Sequence, residues 1–291
     1  MTIIPNKVKR RRRSAILGKL VIMIHARLGI FLIASCAAHA ASAGDPRPAA
    51  GISDNSFLIE EAYNQEAGVV QHIATLARQN GTWLAAYTDE WPVLSQTHQV
   101  SYTVPFAWLA AGDGGAQGFG DIVVNYRYQA LSETDVLPAF APRASIILPT
   151  GDEDQGLGDG SIGYQFNLPF SKIIGARTTL HANAGMTSYF DVDGRQPTSF
   201  NLGGSIVYAA TRDFNVMLEA VQNWEQSVDG LGGLESARAL TLSPGIRSAF
   251  NMPEGQLVLG IAVPIEFSNG GRDYGVFIYA SFEHNFLNSG N

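Results

Sequence analysis

Hydrophobic and polar residues alternate one by one along most of this chain, in one segment after another. In QLVLGIAVPIEF, Leu257, Leu259, Ile261, Val263, Ile265 and Phe267 share one face, and Gln256, Gly260 and Glu266 share the other. In SIGYQFNLPF, Ile162, Tyr164, Phe166 and Leu168 oppose Ser161, Gly163, Gln165 and Asn167. In TLHANAGMTSYF, Leu180, Ala182, Ala184 and Met186 oppose His181, Asn183, Gly185 and Thr187. Successive side chains of an extended strand point to opposite faces, so a period of two predicts β-strands. GFGDIVVNYRYQA, SFNLGGSIVYA, DFNVMLEAVQNW and YGVFIYASFEHNF obey the same rule. Runs of about 10 to 13 residues exceed the usual soluble strand and suit a tilted membrane strand.

Alternation alone does not say which face looks inward. The polar face is rich in Gly, Ser, Asn and Gln with scattered single charges, which suits a confined lumen. Lys172 is the only lysine after residue 19, so the usual lysine-covered exterior is missing. A lipid-facing wall accounts for that shortage, because a Lys or Arg at mid-bilayer costs roughly 2–4 kcal/mol. The fold class is therefore all-β, a transmembrane antiparallel up-and-down β-barrel with its apolar side outward. Counting back from a last strand at 274–286 places short periplasmic turns at 211–213, 251–254 and 171–176. The opposite ends are GDEDQGLG, DVDGRQPT, QSVDGLGGLES and SNGGRD, an asymmetry that bacterial barrels share. LSETDVLPAF is a longer periplasmic connection. Carried to residue 67, the count is about 12 strands, with FLIEEAYNQ (57–65) left to extend the first strand or to pack beneath the barrel. Aromatics near strand ends, among them Trp83, Trp91, Trp108, Tyr126, Tyr128, Tyr208, Trp224, Phe282 and Phe286, are placed as an interfacial girdle would be.

Three regions follow: a signal peptide over 1–43, a linker over 44–56 and an outer-membrane β-barrel over 57–291. The leader runs from KVKRRRR through apolar stretches to small residues at Ala38-His39-Ala40 and Ala41-Ser42-Ala43, the order of a secretory signal. Lys19, His25 and Arg27 interrupt it too often for a membrane anchor. A start at Met23 gives a more compact leader, and Ile33-Ala34-Ser35-Cys36 resembles a lipobox; cleavage after Ala40 or Ala43 is the other reading. The linker GDPRPAAGISDNS has proline, glycine and no periodicity.

Eight of the 19 basic residues precede residue 41, leaving 11 against 26 acidic ones and a net charge of −15 for the rest. That argues against a nucleic-acid partner and against a basic groove for anions. No CxxC, HExxH or GxSxG occurs, His181 and Ser188 fall on opposite faces of one strand, and the reading is no enzyme, no metal and no cofactor. The acidic loop at Asp152-Glu153-Asp154, with Asp159 near, lacks EF-hand spacing and reads as solvated rather than calcium-binding. Candidate lumen residues are Asp121, Asn125, Arg127, Arg143, His181, Asn183, Glu219, Asn223, Arg247, Glu266 and Glu283. They either line a solute path or neutralise one another, and their excess of acids favours cations or neutral solutes.

FLIEEAYNQEAGVVQH (57–72), GFGDIVVNYRY (118–128) and PRASIILPTGDEDQGLGDGS (142–161) together resemble the outer-membrane barrel family named for the meta-cleavage pathway of phenol degradation, over residues 57–287. The resemblance implies a transporter of aromatic or other apolar compounds in the bacterial outer membrane and brings no catalytic residues. Partners on this reading are outer-membrane lipids, a small-molecule solute and the barrel-assembly machinery. Phe286 resembles that machinery's terminal aromatic signal, although LNSGN follows it. The functional expectation is a channel or transporter for small, apolar or aromatic molecules; the alternatives are a non-conducting structural or adhesive barrel and a soluble periplasmic β-protein. Intact-mass measurement of the membrane-extracted protein is expected to give a chain starting at or after Cys36, at Ala41 or Gly44 by the signal reading, and retention of Met1 or Met23 defeats it.

Overall fold

An open sheet edge leaves its backbone N–H and C=O groups unpaired, and this sheet has no such edge around its circumference. A computed structural model describes residues 51–286 apart from 53, 114 and 230. Its strand segments are β1 (Val69–Gln79), β2 (Thr82–Val93), β3 (Ser95–Trp108), β4 (Gln117–Phe119), β5 (Ile122–Tyr128), β6 (Ala139–Phe140), β7 (Arg143–Leu148), β8 (Gly163–Ile174), β9 (Thr178–Tyr189), β10 (Thr198–Thr211), β11 (Phe214–Val228), β12 (Leu234–Met252), β13 (Gly255–Ala262), β14 (Ile265–Ser268), β15 (Gly271–Tyr274) and β16 (Val276–Asn285). Four of them continue the segment before: β5 follows β4 past Gly120-Asp121, β7 follows β6 past Pro142, β14 follows β13 past Pro264, and β16 follows β15 past Gly275. The proline breaks fall where a residue without an N–H cannot serve the ladder. The result is a closed antiparallel barrel of 12 strands. Closure is made between first and last, β1 pairing with β16 from Val69↔Asn285 to Arg78↔Val276.

Local chemistry sets the turns. Asn80 and Gly81 take φ of 49° and 82° and join β1 to β2, the left-handed pair that a two-residue hairpin needs. The periplasmic ends are short except for 129–138, and the opposite ends carry the longer loops 149–162 and 190–197.

The faces divide as the alternation predicts. Leu259 and Ile261 are 43% and 47% exposed on the outside, whereas Gln165, Asn167 and Asn183 are buried inside. The interior is not uniformly polar, however. Ile73, Val207, Met217, Val221, Val258, Phe277 and Tyr279 form a buried apolar cluster with Phe57, Leu58 and Ile59. The inward apolar positions are explained by what lies against them: residues 54–62, 64 and 65 are buried. This segment neither extends β1 nor packs beneath the barrel; it fills the lumen, beginning with Asp54–Ser56 at the end of the Pro/Gly-rich stretch. The leader, Cys36 included, lies outside the described residues.

Leu259→Arg is expected to cost roughly 2–4 kcal/mol if it sits near mid-bilayer, while Glu266→Gln leaves folding unchanged. Urea titration of the barrel refolded into lipid vesicles measures both; equal stabilities would reverse the face assignment.

Candidate functional site

The inward polar side chains of the wall grip the chain's own N-terminal segment. It enters at the periplasmic end, where the Gln256 side chain donates to the Gly51 carbonyl at 3.1 Å. It leaves at the same end, where Asn64 Nδ2 donates to the carbonyls of Gln96 and Thr97 at 2.9 and 3.0 Å. Between these points Glu60 is the centre. Its carboxylate accepts from Arg127 Nη1 and Arg143 Nε, both at 3.2 Å, and from Asn167 Nδ2 at 2.7 Å. All three charged groups are buried, with Glu60 and Arg127 at 1% and 2% exposure. Removal of charges this far from water is costly unless each is paired and its remaining polar atoms are bonded. Arg127 meets that condition by also donating to Asn64 Oδ1 at 2.8 Å and to the carbonyl of Tyr63 at 2.7 Å.

Other wall residues bind the segment's backbone, which has no strand partner of its own. Asn183 brackets Glu60, accepting from its N–H at 2.8 Å and donating to its carbonyl at 2.9 Å. Glu219 accepts the N–H groups of Leu58 and Ile59 at 2.8 and 3.1 Å. Arg247 donates to the carbonyl of Asp54 at 3.0 Å and to that of Asn55. Asp54 in turn accepts from Gln71, Tyr279 and Ser281. Ser171 accepts the N–H of Ala62 at 2.7 Å and shares a 2.7 Å hydrogen bond with His181 Nδ1. Asn125 acts one step removed, through Arg143 and Ser145. Below, Glu133 of the long periplasmic connection takes the Tyr63 hydroxyl at 2.5 Å and pairs with Lys172 at 3.1 Å, which gives the one lysine of the body a role.

Glycine shapes the apolar half of the seat. A Cβ at Gly260 would stand 2.3 Å from Phe57 Cζ, and one at Gly203 2.5 Å from Ile59 Cδ1. These inward positions are hollows into which the segment's side chains fit.

Among the candidates read from the sequence, Arg127, Arg143, Asn183, Glu219 and Arg247 contact the segment directly, and His181 and Asn125 do so through one intermediary. Asp121 lies apart at the loop end, accepting the N–H groups of Gly151 and Asp159 at 2.8 and 3.0 Å. Asn223 is buried, and Glu266 and Glu283 are partly buried on β14 and β16. The acidic loop is organised internally, Asp152 capping a short turn by accepting the Gln155 N–H at 3.1 Å. Sequence reasoning missed Asp54, Glu60, Asn167 and Ser171. The available signal was FLIEEAYNQ, an acid pair in an apolar stretch of a chain whose inward arginines lacked an assigned partner.

The sequence profile described as "Putative MetA-pathway of phenol degradation" matches residues 56–280. The chain is similar to the COG4313 outer membrane channel from Pseudomonas putida F1, with a TM-score of 0.58 and 11% identity over 77% of this chain and 97% of that one. It is also similar to the KdgM porin, with a TM-score of 0.50 and 10% identity over 73% and 98%. No curated protein sequence matches. With its apolar belt, the chain is an outer-membrane β-barrel.

Glu60→Ala strips the partner from two buried arginines and is expected to cost about 3–5 kcal/mol. Hydrogen exchange should then rise across 54–65 while the wall strands stay protected; unchanged protection there would mean that the ion pairs do not hold the segment.

Proposed function

Because the chain belongs to the family described as "Putative MetA-pathway of phenol degradation", we propose that this barrel transports small apolar or aromatic molecules across the outer membrane, through a lumen that its own N-terminal segment closes. The observation that carries this reading is the apolar inner cluster of Ile73, Met217, Val221, Val258, Phe277 and Tyr279 beneath Phe57 and Ile59. A passage for ions and sugars is best served by polar walls, whereas one side of this lumen carries an apolar patch that the segment covers. Phe57 sits 5.5 Å from Phe277 and 5.2 Å from Tyr279, ring centre to ring centre, and so occupies a place sized for an aromatic ring. A solute of that shape replaces such contacts on the wall when the segment shifts.

A catalytic role is not part of the proposal. His181 has Ser171 as its one hydrogen-bond partner among the described residues, and that serine oxygen is already engaged by the Ala62 N–H. A nucleophile–base pair needs a third group to orient the base and a free line of attack. The working partners are outer-membrane lipids, the solute and the assembly machinery that inserts barrels.

Two measurements test the reading. Cells carrying the protein should take up a radiolabelled apolar aromatic faster than a deletion strain, and planar bilayers should show only small discrete conductance because the lumen is filled. Equal uptake in the two strains would leave the non-conducting structural or adhesive barrel as the better account.

A further inference from the structure

Three of the four histidines in the described residues, His72, His98 and His284, stand on the outward face near the periplasmic rim. His72 on β1 and His284 on β16 are diagonal neighbours across the seam that closes the barrel, since Val70 pairs with His284 and His72 with Phe282. Their Nε2 atoms are 3.1 Å apart. Their ring centres are 5.2 Å apart with planes 21° from parallel. The nitrogens approach more closely than the centres by about two ring radii, so the rings meet edge to edge.

Each ring is oriented by an acceptor on its other nitrogen. His72 Nδ1 lies 2.5 Å from Asp89 Oδ1, and Asp89 also accepts from Tyr87 at 2.8 Å and Tyr102 at 2.6 Å. His284 Nδ1 lies 3.2 Å from the carbonyl of Asn285. Carboxylate and carbonyl only accept, so in the tautomer that serves these contacts both Nδ1 atoms donate and the Nε2 atoms of the neutral rings present bare lone pairs to each other. Two such lone pairs repel unless a positive charge lies close to both, beside the 3.1 Å line that joins the nitrogens.

We propose that His72 and His284 bind one late first-row divalent cation, zinc or its neighbours, through their Nε2 atoms, stapling the first strand of the barrel to the last. Nitrogens bonded at about 2.0–2.1 Å to a tetrahedral zinc stand about 3.3 Å apart, close to the separation found. An acceptor on the far nitrogen of each ligating histidine is the support that such sites use, and Asp89 is the positioning residue that supplies it for His72. Among the described residues no three or more His, Cys, Asp or Glu side chains are placed so that together they could hold a metal ion. The remaining ligands therefore come from water at the periplasmic rim, because His72 is the fourth residue of β1 and His284 the last but one of β16.

The test uses the full, untagged barrel in detergent micelles, washed with chelator. Zinc is titrated by calorimetry, cobalt by its visible absorption, and thermal unfolding is followed with and without zinc. One ion per chain and a zinc-dependent rise in unfolding temperature are expected. His72→Ala and His284→Ala should each abolish both effects, Asp89→Asn should weaken binding about 10- to 100-fold, and His98→Ala on the same face should change nothing. Heat-modifiable mobility on gels confirms that each titrated variant is folded. Absence of saturable binding to the unaltered protein would mean that the pair shares a proton instead, and binding that survives both alanine variants would place the ion elsewhere; either result overturns the proposal.

Discussion

Inside a bilayer no water is available to a backbone amide, so every N–H and C=O of a spanning segment must be bonded within the protein. Strands meet that demand only by closing on themselves, and the pairing of β1 with β16 is where this chain does so. The rest follows from that closure. Once the strands stand around an axis, one face of each is committed to lipid and the other to the interior, and the period of two seen in the sequence is the record of that commitment. Leu259 and Gly260 are adjacent in the chain, yet one lies 43% exposed toward lipid while the other forms a hollow against Phe57.

Closure also creates an interior that must be filled or wetted. Residues 54–65 fill much of it, and their backbone faces the same requirement as the wall's, with no neighbouring strand to satisfy it. Side chains do the work of a ladder instead. Asn183 returns both a donor and an acceptor to Glu60, and Glu219 takes two successive N–H groups. Arg127 and Arg143 are matched by Glu60, brought in from 67 and 83 positions earlier in the chain.

That distance in sequence explains what was legible and what was not. Strand identity, the outward face and the count of strands depend on local periodicity, which QLVLGIAVPIEF and TLHANAGMTSYF display within a dozen residues. The inward positions of Asn183, Arg127 and Glu219 were readable for the same reason. Their partner was not, because FLIEEAYNQ has no period to announce an element and the contacts that bind it to these wall residues join positions more than 60 apart. Val258, Val221 and Met217 show the converse. They are apolar at inward positions, against the simple rule, because the segment covers them. The Ser171–His181 pair escaped because it joins two strands, β8 and β9, while a search along one strand compares His181 only with Ser188.

The segment's two halves are held by different forces, and that difference bears on transport. Around Glu60 the contacts are charged, directional and buried, and they lose much of their value if either partner moves a few tenths of an ångström. Around Phe57 and Ile59 the side-chain contacts are apolar and non-directional, seated in glycine hollows, and Glu219 holds only the backbone N–H groups of Leu58 and Ile59. An apolar solute competes on equal terms only for the second kind. It can replace a phenyl ring against Phe277 and Tyr279, but it has nothing to offer Arg127. On the transport reading proposed above, the apolar side chains are the ones a solute would displace, and the Glu60 centre is the part it would leave in place. The polarity of the lumen is thus divided between a part that anchors and a part that a solute can occupy.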